Sequence, residues 1–248
     1  MRKYRTAITT HKDGKPYVRG HDLTKLAGKV SFAASIYLIL KGEMPSEKAE
    51  KLLEAMLVIS IDHGVEPSSV VAARNIYSGG SPVQAAVAGG ILAFGDFHGG
   101  AIEAAMENFY KYSDKKAEEL IVDLKSAGIR VAGFGHKLYK DEDPRTIRLI
   151  ELAKELGFYG KYVKFAQSIV DEFLKQGKKL PLNIDGVIAA ILCEIGFDSK
   201  VGKGVFIIAR TPGLVAHVQE EALRESPARR LTDEEVEYDG PKPRRGDS

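Results

Sequence analysis

Three histidines sit beside glycine where elements read as ending: His63 in IDHG, His98 in DFHGG and His136 in GFGH. A histidine placed this way at the end of an element has an open ring and room beside it for a ligand, and imidazole gives or takes a proton near neutral pH. Arg145, Arg210 and the pair Arg229-Arg230 follow or interrupt turn signals instead of lying on plain solvated helix faces. Guanidinium holds a carboxylate with two parallel hydrogen bonds. Neutral histidines, several arginines and one carboxylate suit a substrate that carries two or three carboxylates. Singly, each histidine is as well explained as a structural ring and each arginine as half of a surface ion pair; together they point to a site.

Rival chemistries fit less well. None of these histidines pairs with another histidine or a cysteine at ligand spacing such as HxxxH, so no metal is expected. No GxSxG elbow occurs, and the lone Cys193 lies in the apolar run GVIAAILCEIG, where a buried small hydrophobe is the simpler reading. With 36 basic against 34 acidic residues the net charge is +2, too little for a broad basic surface, and nucleic acid is not an expected partner. The start, MRKYRTAITTHKDGK, lacks the apolar core of a signal peptide and no apolar run reaches membrane-spanning length. A soluble cytoplasmic protein without a membrane partner is expected.

The elements that must position these residues read as helices. Residues 1–22 carry turn signals around short alternating runs and predict a small extended arm or hairpin. Beyond them Asp22 or Thr24, Ser31 and Ser46 are placed to cap helices, the third running through SEKAEKLLEAMLVISIDHG to His63-Gly64. Ser81-Pro82 opens PVQAAVAGGILAFG, whose small residues Ala85, Ala86, Ala88, Gly89 and Gly90 invite close approach by another helix. Gly99-Gly100 leads into AIEAAMENFYKY. Asp143-Pro144 is a well-formed helix start and Gly157 a stop, so GFGHKLYKDEDPR is a loop that enters a helix. Asp185 stands before GVIAAILCEIG in the same capping position. KGVFIIAR, 203–210, fits a buried strand or a buried helix; its neighbours favour helix. From about Glu225 the chain reads as an extended tail.

GFGHKLYKDEDPR closely resembles the citrate synthase signature, and DFHGGAIEAA resembles that family's HGGANEA segment. IDHG is similar to ADHE, VRGHDLTKLAGKVSFAASIYLILKGEMP to RGYDIEDLAENSSFEEVAYLLLFGELP, and IARTPGLVAH to GRTAGWVAH; LNIDGVIA lies where the catalytic aspartate belongs. Six blocks in family order, over about residues 14–240, make the resemblance specific. It implies an all-α fold, with a large helical domain (about 1–100 and 180–248), a smaller one (about 101–179) and a working dimer or higher oligomer. It also implies roles. Asp185 becomes the base at the acetyl-CoA methyl group, His98 the donor to the thioester oxygen, and His136 the partner of the oxaloacetate carbonyl. His63, Arg145 and Arg210 hold carboxylates, with Arg230 reaching across the dimer. Coenzyme A, the cofactor-like substrate, lies along Gly133, Phe134 and Gly135, and Lys137 and Lys140 suit its phosphates by charge alone.

The chain also departs from the synthases. It lacks a hundred or more residues, mainly from the N-terminal half, and glycine follows the aspartate in NIDG. Both features, and the tail RRLTDEEVEY, resemble the citryl-CoA lyase module of ATP-citrate lyase, where the segment reads NVDG. That module replaces the histidine of HGG, whereas His98 is kept. The resemblance therefore implies a citryl-CoA lyase, and a separate citryl-CoA synthetase is one source from which its substrate could come. The alternatives are a citrate or 2-methylcitrate synthase and a non-catalytic CoA-binding subunit.

Overall fold

The computed structural model describes residues 3–95, 98–135 and 142–242. The expected hairpin is a three-stranded antiparallel sheet of β1 (Thr9–Lys12), β2 (Lys15–Val18) and β3 (His21–Asp22). Asp13-Gly14 turns the first pair, and Arg19 ties the sheet to the first long helix through the carbonyl of Ile39 at 2.8 and 3.0 Å.

The rest is helical, as expected: α1 (Leu23–Leu26), α2 (Phe32–Lys41), α3 (Glu47–Ile59), α4 (Ser68–Ser78), α5 (Val83–Leu92), α6 (Ala101–Tyr112), α7 (Ala117–Ser126), α8 (Pro144–Leu156), α9 (Lys161–Lys175), α10 (Ile184–Glu194) and α11 (Gly202–Arg224). Asp22, Ser31, Ser46 and Asp143 cap α1, α2, α3 and α8, their side chains accepting from the N–H groups of Thr24, Ala34, Ala49 and Arg145. Gly42 and Gly157 close α2 and α8 in the left-handed conformation. On α3 the buried positions are Ala49, Leu52, Leu53 and Met56, one stripe of a 3.6-residue period.

Three expectations need correction. α3 stops at Ile59, four residues short of His63, which lies in the loop to α4. Asp185 is not a cap: Asn183 holds that position, accepting from the Gly186 N–H at 3.1 Å, and Asp185 is the second residue of α10. Arg210 interrupts no turn, because TPG continues the long α11; Pro212 lies inside it. A carbonyl loses its helical partner there, and the Thr211 hydroxyl donates to the Ile207 carbonyl at 2.6 Å nearby.

Buried apolar residues from Ile36 to Val218 form one continuous cluster. At its centre α10 is buried from Gly186 to Cys193 and packs on α6, α8 and α9. α4 and α5 pair closely: a Cβ on Gly90 would meet the Ser69 carbonyl at 2.9 Å. α11 lies across that pair and across α3.

Candidate active site

One face of α11 assembles most of the site. Phe206, Arg210, Gly213, His217 and Glu221 recur at helical spacing along it. The Phe206 ring stands edge-on to Phe94 and to His98. Arg210, only 4% exposed, donates through Nε to the Ser60 carbonyl at 2.8 Å and lies over Phe206. His217 Nε2 is 3.0 Å from Asp62, and Glu221 takes Arg74 and Arg229.

His98 is half-buried between Phe94 and Phe206, not open at a helix end. Its Nε2 is 2.8 Å from the hydroxyl of Ser69, itself fully buried on α4. Burial, then the positive Arg210 and then His63, hold its pKa below the ordinary value, so the ring is neutral at pH 7.

Asp185 has its carboxyl pushed above the usual range by burial and by Asp143, while Arg145 and Arg210 oppose the shift. Arg145, second residue of α8, is held by the buried Asp143 through Nε–Oδ1 at 3.0 Å and Nη2–Oδ2 at 2.7 Å. Its Nη1 lies 3.4 Å from Nδ1 of the exposed His63. His98, His63, Arg145, Arg210 and Asp185, scattered over more than 120 residues of chain, thus share one electrostatic neighbourhood.

The segment Gly133 to Gly135 lies directly on the start of α10. The Asn183 N–H donates to the Gly133 carbonyl at 3.0 Å, its side-chain amide to the Gly135 carbonyl at 2.8 Å, and the Gly135 N–H to the Pro181 carbonyl at 2.8 Å. Gly133 has φ of 89°, and a Cβ there would come within 2.6 Å of the Gly186 Cα. The contact is backbone against backbone, so both positions demand glycine. Phe134 packs edge-on to Phe173 and, with Gly135, borders a cleft of about 660 Å³ that Lys125, Arg130 and Lys178 also line.

His136, Lys137 and Lys140 lie outside the described residues. Arg230 lies in the exposed C-terminal stretch and makes no hydrogen bond or ion pair among the described residues. Its neighbour Arg229 is anchored instead, its N–H donating to Ser78 Oγ at 2.8 Å and its guanidinium to Glu221. Cys193 is a buried free thiol, pushed up to about 12 by burial. Among the described residues no group of three or more His, Cys, Asp or Glu is arranged to hold a metal ion, and no helix is long and apolar enough to cross a membrane.

Sequence reasoning passed over Ser69, Asp62 and His217, and treated Asp143 only as a cap. Asp62 precedes His63 and His217 follows Arg210 by two helical turns, so spacing could have found both; Ser69, in an unsignalled helix, had no local mark.

The sequence model described as citrate synthase, C-terminal domain, matches residues 45–231. The citrate synthase of Haloferax volcanii is 30% identical over 82% of this chain and 55% of that protein, so the chain spans about half the length of the curated relatives it matches. The structure of citryl-CoA lyase from Hydrogenobacter thermophilus aligns with TM-score 0.93 and 48% identity, over 98% of this chain and 97% of that one. Methanosaeta concilii ATP citrate lyase in complex with (3S)-citryl-CoA aligns with TM-score 0.83 at 23% identity, over 97% of this chain and 43% of that one, a likeness of fold.

Proposed function

The chain belongs to the citrate synthase family, and from that premise we propose that it cleaves citryl-CoA to acetyl-CoA and oxaloacetate. The observation that carries this direction is the end-to-end likeness, at 48% identity, to a citryl-CoA lyase of matching length.

In this reading His136 takes the proton of the citryl tertiary hydroxyl. The carbon–carbon bond then breaks, its electron pair passing into the thioester as an acetyl-CoA enolate, and the hydroxyl carbon becomes the oxaloacetate ketone. His98 donates a hydrogen bond to the enolate oxygen; its neutral ring does so without clamping the charge, and one such preorganised donor contributes about 3–4 kcal/mol. With His98 as the donor, the Ser69 hydroxyl 2.8 Å from Nε2 is assigned as donating to that nitrogen, which leaves the ring proton on Nδ1. Asp185 returns a proton to the methylene carbon. Its upward shift suits an acid in the cleavage direction, and the same carboxylate, once ionised, is the base of the reverse condensation. His63, Arg145 and Arg210 hold the carboxylates of the oxaloacetate part.

Coenzyme A is assigned to Gly133, Phe134 and Gly135, with Lys137 on its phosphates. Support comes from the adjoining cleft, whose apolar floor and three cations suit a nucleotide with phosphates. A dimer with Arg230 acting in trans is supported by α5, which is apolar except for Gln84 yet leaves Ala85, Ala88 and Leu92 exposed. The division into a larger and a smaller domain that closes over the ligands belongs to the same reading.

A synthase remains the second reading because His98, which the ATP-citrate lyase module lacks, is kept here. Synthetic citryl-CoA separates the two. Acetyl-CoA plus oxaloacetate, resolved by liquid chromatography with mass detection, is the expected product pair; citrate plus free CoA above the spontaneous rate means a synthase. Wild-type CoA binding with no turnover means a non-catalytic subunit.

A further inference from the structure

We infer that His217, acting through Asp62, is a positioning residue for His63, and that this pair sets how tightly the site grips the oxaloacetate part; the inference rests on the function proposed above. The loop between α3 and α4 carries His63, which lies in no helix or strand and is exposed. What fixes the loop is α11. Arg210 holds the Ser60 carbonyl, Gly213 lets Ile61 and Asp62 lie against the helix, and His217 meets Asp62 at 3.0 Å. These three contacts come from positions i, i+3 and i+7 of one helix face and fall on successive residues of the loop, so the loop follows the helix in register.

Asp62 is the pivot. One carboxylate oxygen meets His217 Nε2, and the other accepts from the Gly64 N–H at 3.0 Å. Burial works against the charge of Asp62, but the N–H groups of Gly64 and His63, and then His217, outweigh it, and the carboxyl is held below its ordinary range. The carboxylate is therefore ionised, and it fixes the backbone on both sides of the His63 Cα. His217 in turn fixes the carboxylate. Its side chain is only 11% exposed, and its other ring nitrogen is 3.9 Å from Glu220 on the same helix. His63 then presents Nδ1 toward Arg145. Loss of the Nε2 contact frees the Asp62 carboxylate to rotate, and with it the backbone that aims the ring.

Oxaloacetate affinity, measured by titration calorimetry on the full chain, tests this alongside citryl-CoA kinetics. Wild-type protein that binds no oxaloacetate would refute the functional reading itself. Given wild-type binding, His217→Ala and Asp62→Asn should each weaken oxaloacetate about tenfold and raise the KM for citryl-CoA by a similar factor, with kcat and CoA affinity little changed. His217→Gln, which keeps an N–H near the Nε2 position, should recover most of that loss. In ¹⁵N-histidine spectra the His63 ring signals should move in His217→Ala and return in His217→Gln. Unchanged oxaloacetate affinity in either of the first two variants would overturn the inference, as would equal losses for oxaloacetate and CoA, or a Gln variant as weak as the Ala one. If His217→Ala does not fold, Asp62→Asn and His217→Gln carry the same test.

Discussion

Asp185 has a stability consequence separate from the chemistry proposed for it. Its carboxyl is shifted upward, burial being the leading cause, so the folded chain holds that proton more tightly than the unfolded one does. Stability therefore declines as pH rises from the unfolded carboxylate value, about 3.9, through the raised folded value, and stays lower above it. Asp185→Asn should abolish turnover, leave CoA binding measurable and raise Tm at pH 7, by about 2–4 °C for each 1 kcal/mol relieved. The Tm gap over wild type should close below about pH 4. A variant that turns over normally removes Asp185 from the chemistry, and a gap that persists in acid removes the linkage. Ser69→Ala is a second test at this scale. Without the hydroxyl the His98 tautomer is unfixed, and kcat should fall about tenfold while CoA binding holds.

At the scale of elements, helices announced by their own side chains were legible. Ser31, Ser46 and Asp143 each mark a start that the structure bears out. α9 was not legible, because its cap comes from elsewhere: Glu194, at the end of α10, accepts from the N–H groups of Tyr162 at 2.6 Å and Val163 at 3.1 Å. A donor–acceptor pair more than thirty residues apart leaves no local pattern. The same cause hid Ser69, whose partner His98 lies on a different element. What was legible of the site was residue type beside glycine, which singled out His63 and His98, both of which lie in the cluster with Arg145, Arg210 and Asp185. The capping role given to Asp185 failed because NID offers two acids or amides in three residues, and only geometry chooses Asn183. Glu194→Ala should cost about 1–3 kcal/mol in urea unfolding, by leaving two N–H groups at the α9 start unpartnered.

For the whole molecule, the apolar outer face of α5 is the surface assigned to the proposed dimer. Ala88→Glu should give a monomer by light scattering with unchanged far-UV circular dichroism, because position 88 is exposed and a charge there costs the isolated fold little. Mixing Arg230→Ala with His136→Ala chains should restore activity through mixed dimers that keep one intact site each. Verified mixed dimers without activity would count against a shared site or against Arg230 as the shared residue.

The contact between Gly133 and Gly186 has a genetic consequence. Most damaging substitutions can be repaired elsewhere, by trimming whatever the new side chain strikes. Here the obstacle is main chain, and the facing residue is already glycine, so it has nothing left to give up. A selection for revertants of Gly133→Ala should return the original codon and yield no suppressor at position 186. Homologous segments grafted across 130–135 should work only when they bring glycine at that point. The step that brings residues 133–135 onto the start of α10 is thus closed to gradual change: a lineage keeps both glycines or rebuilds both strands of the contact at once.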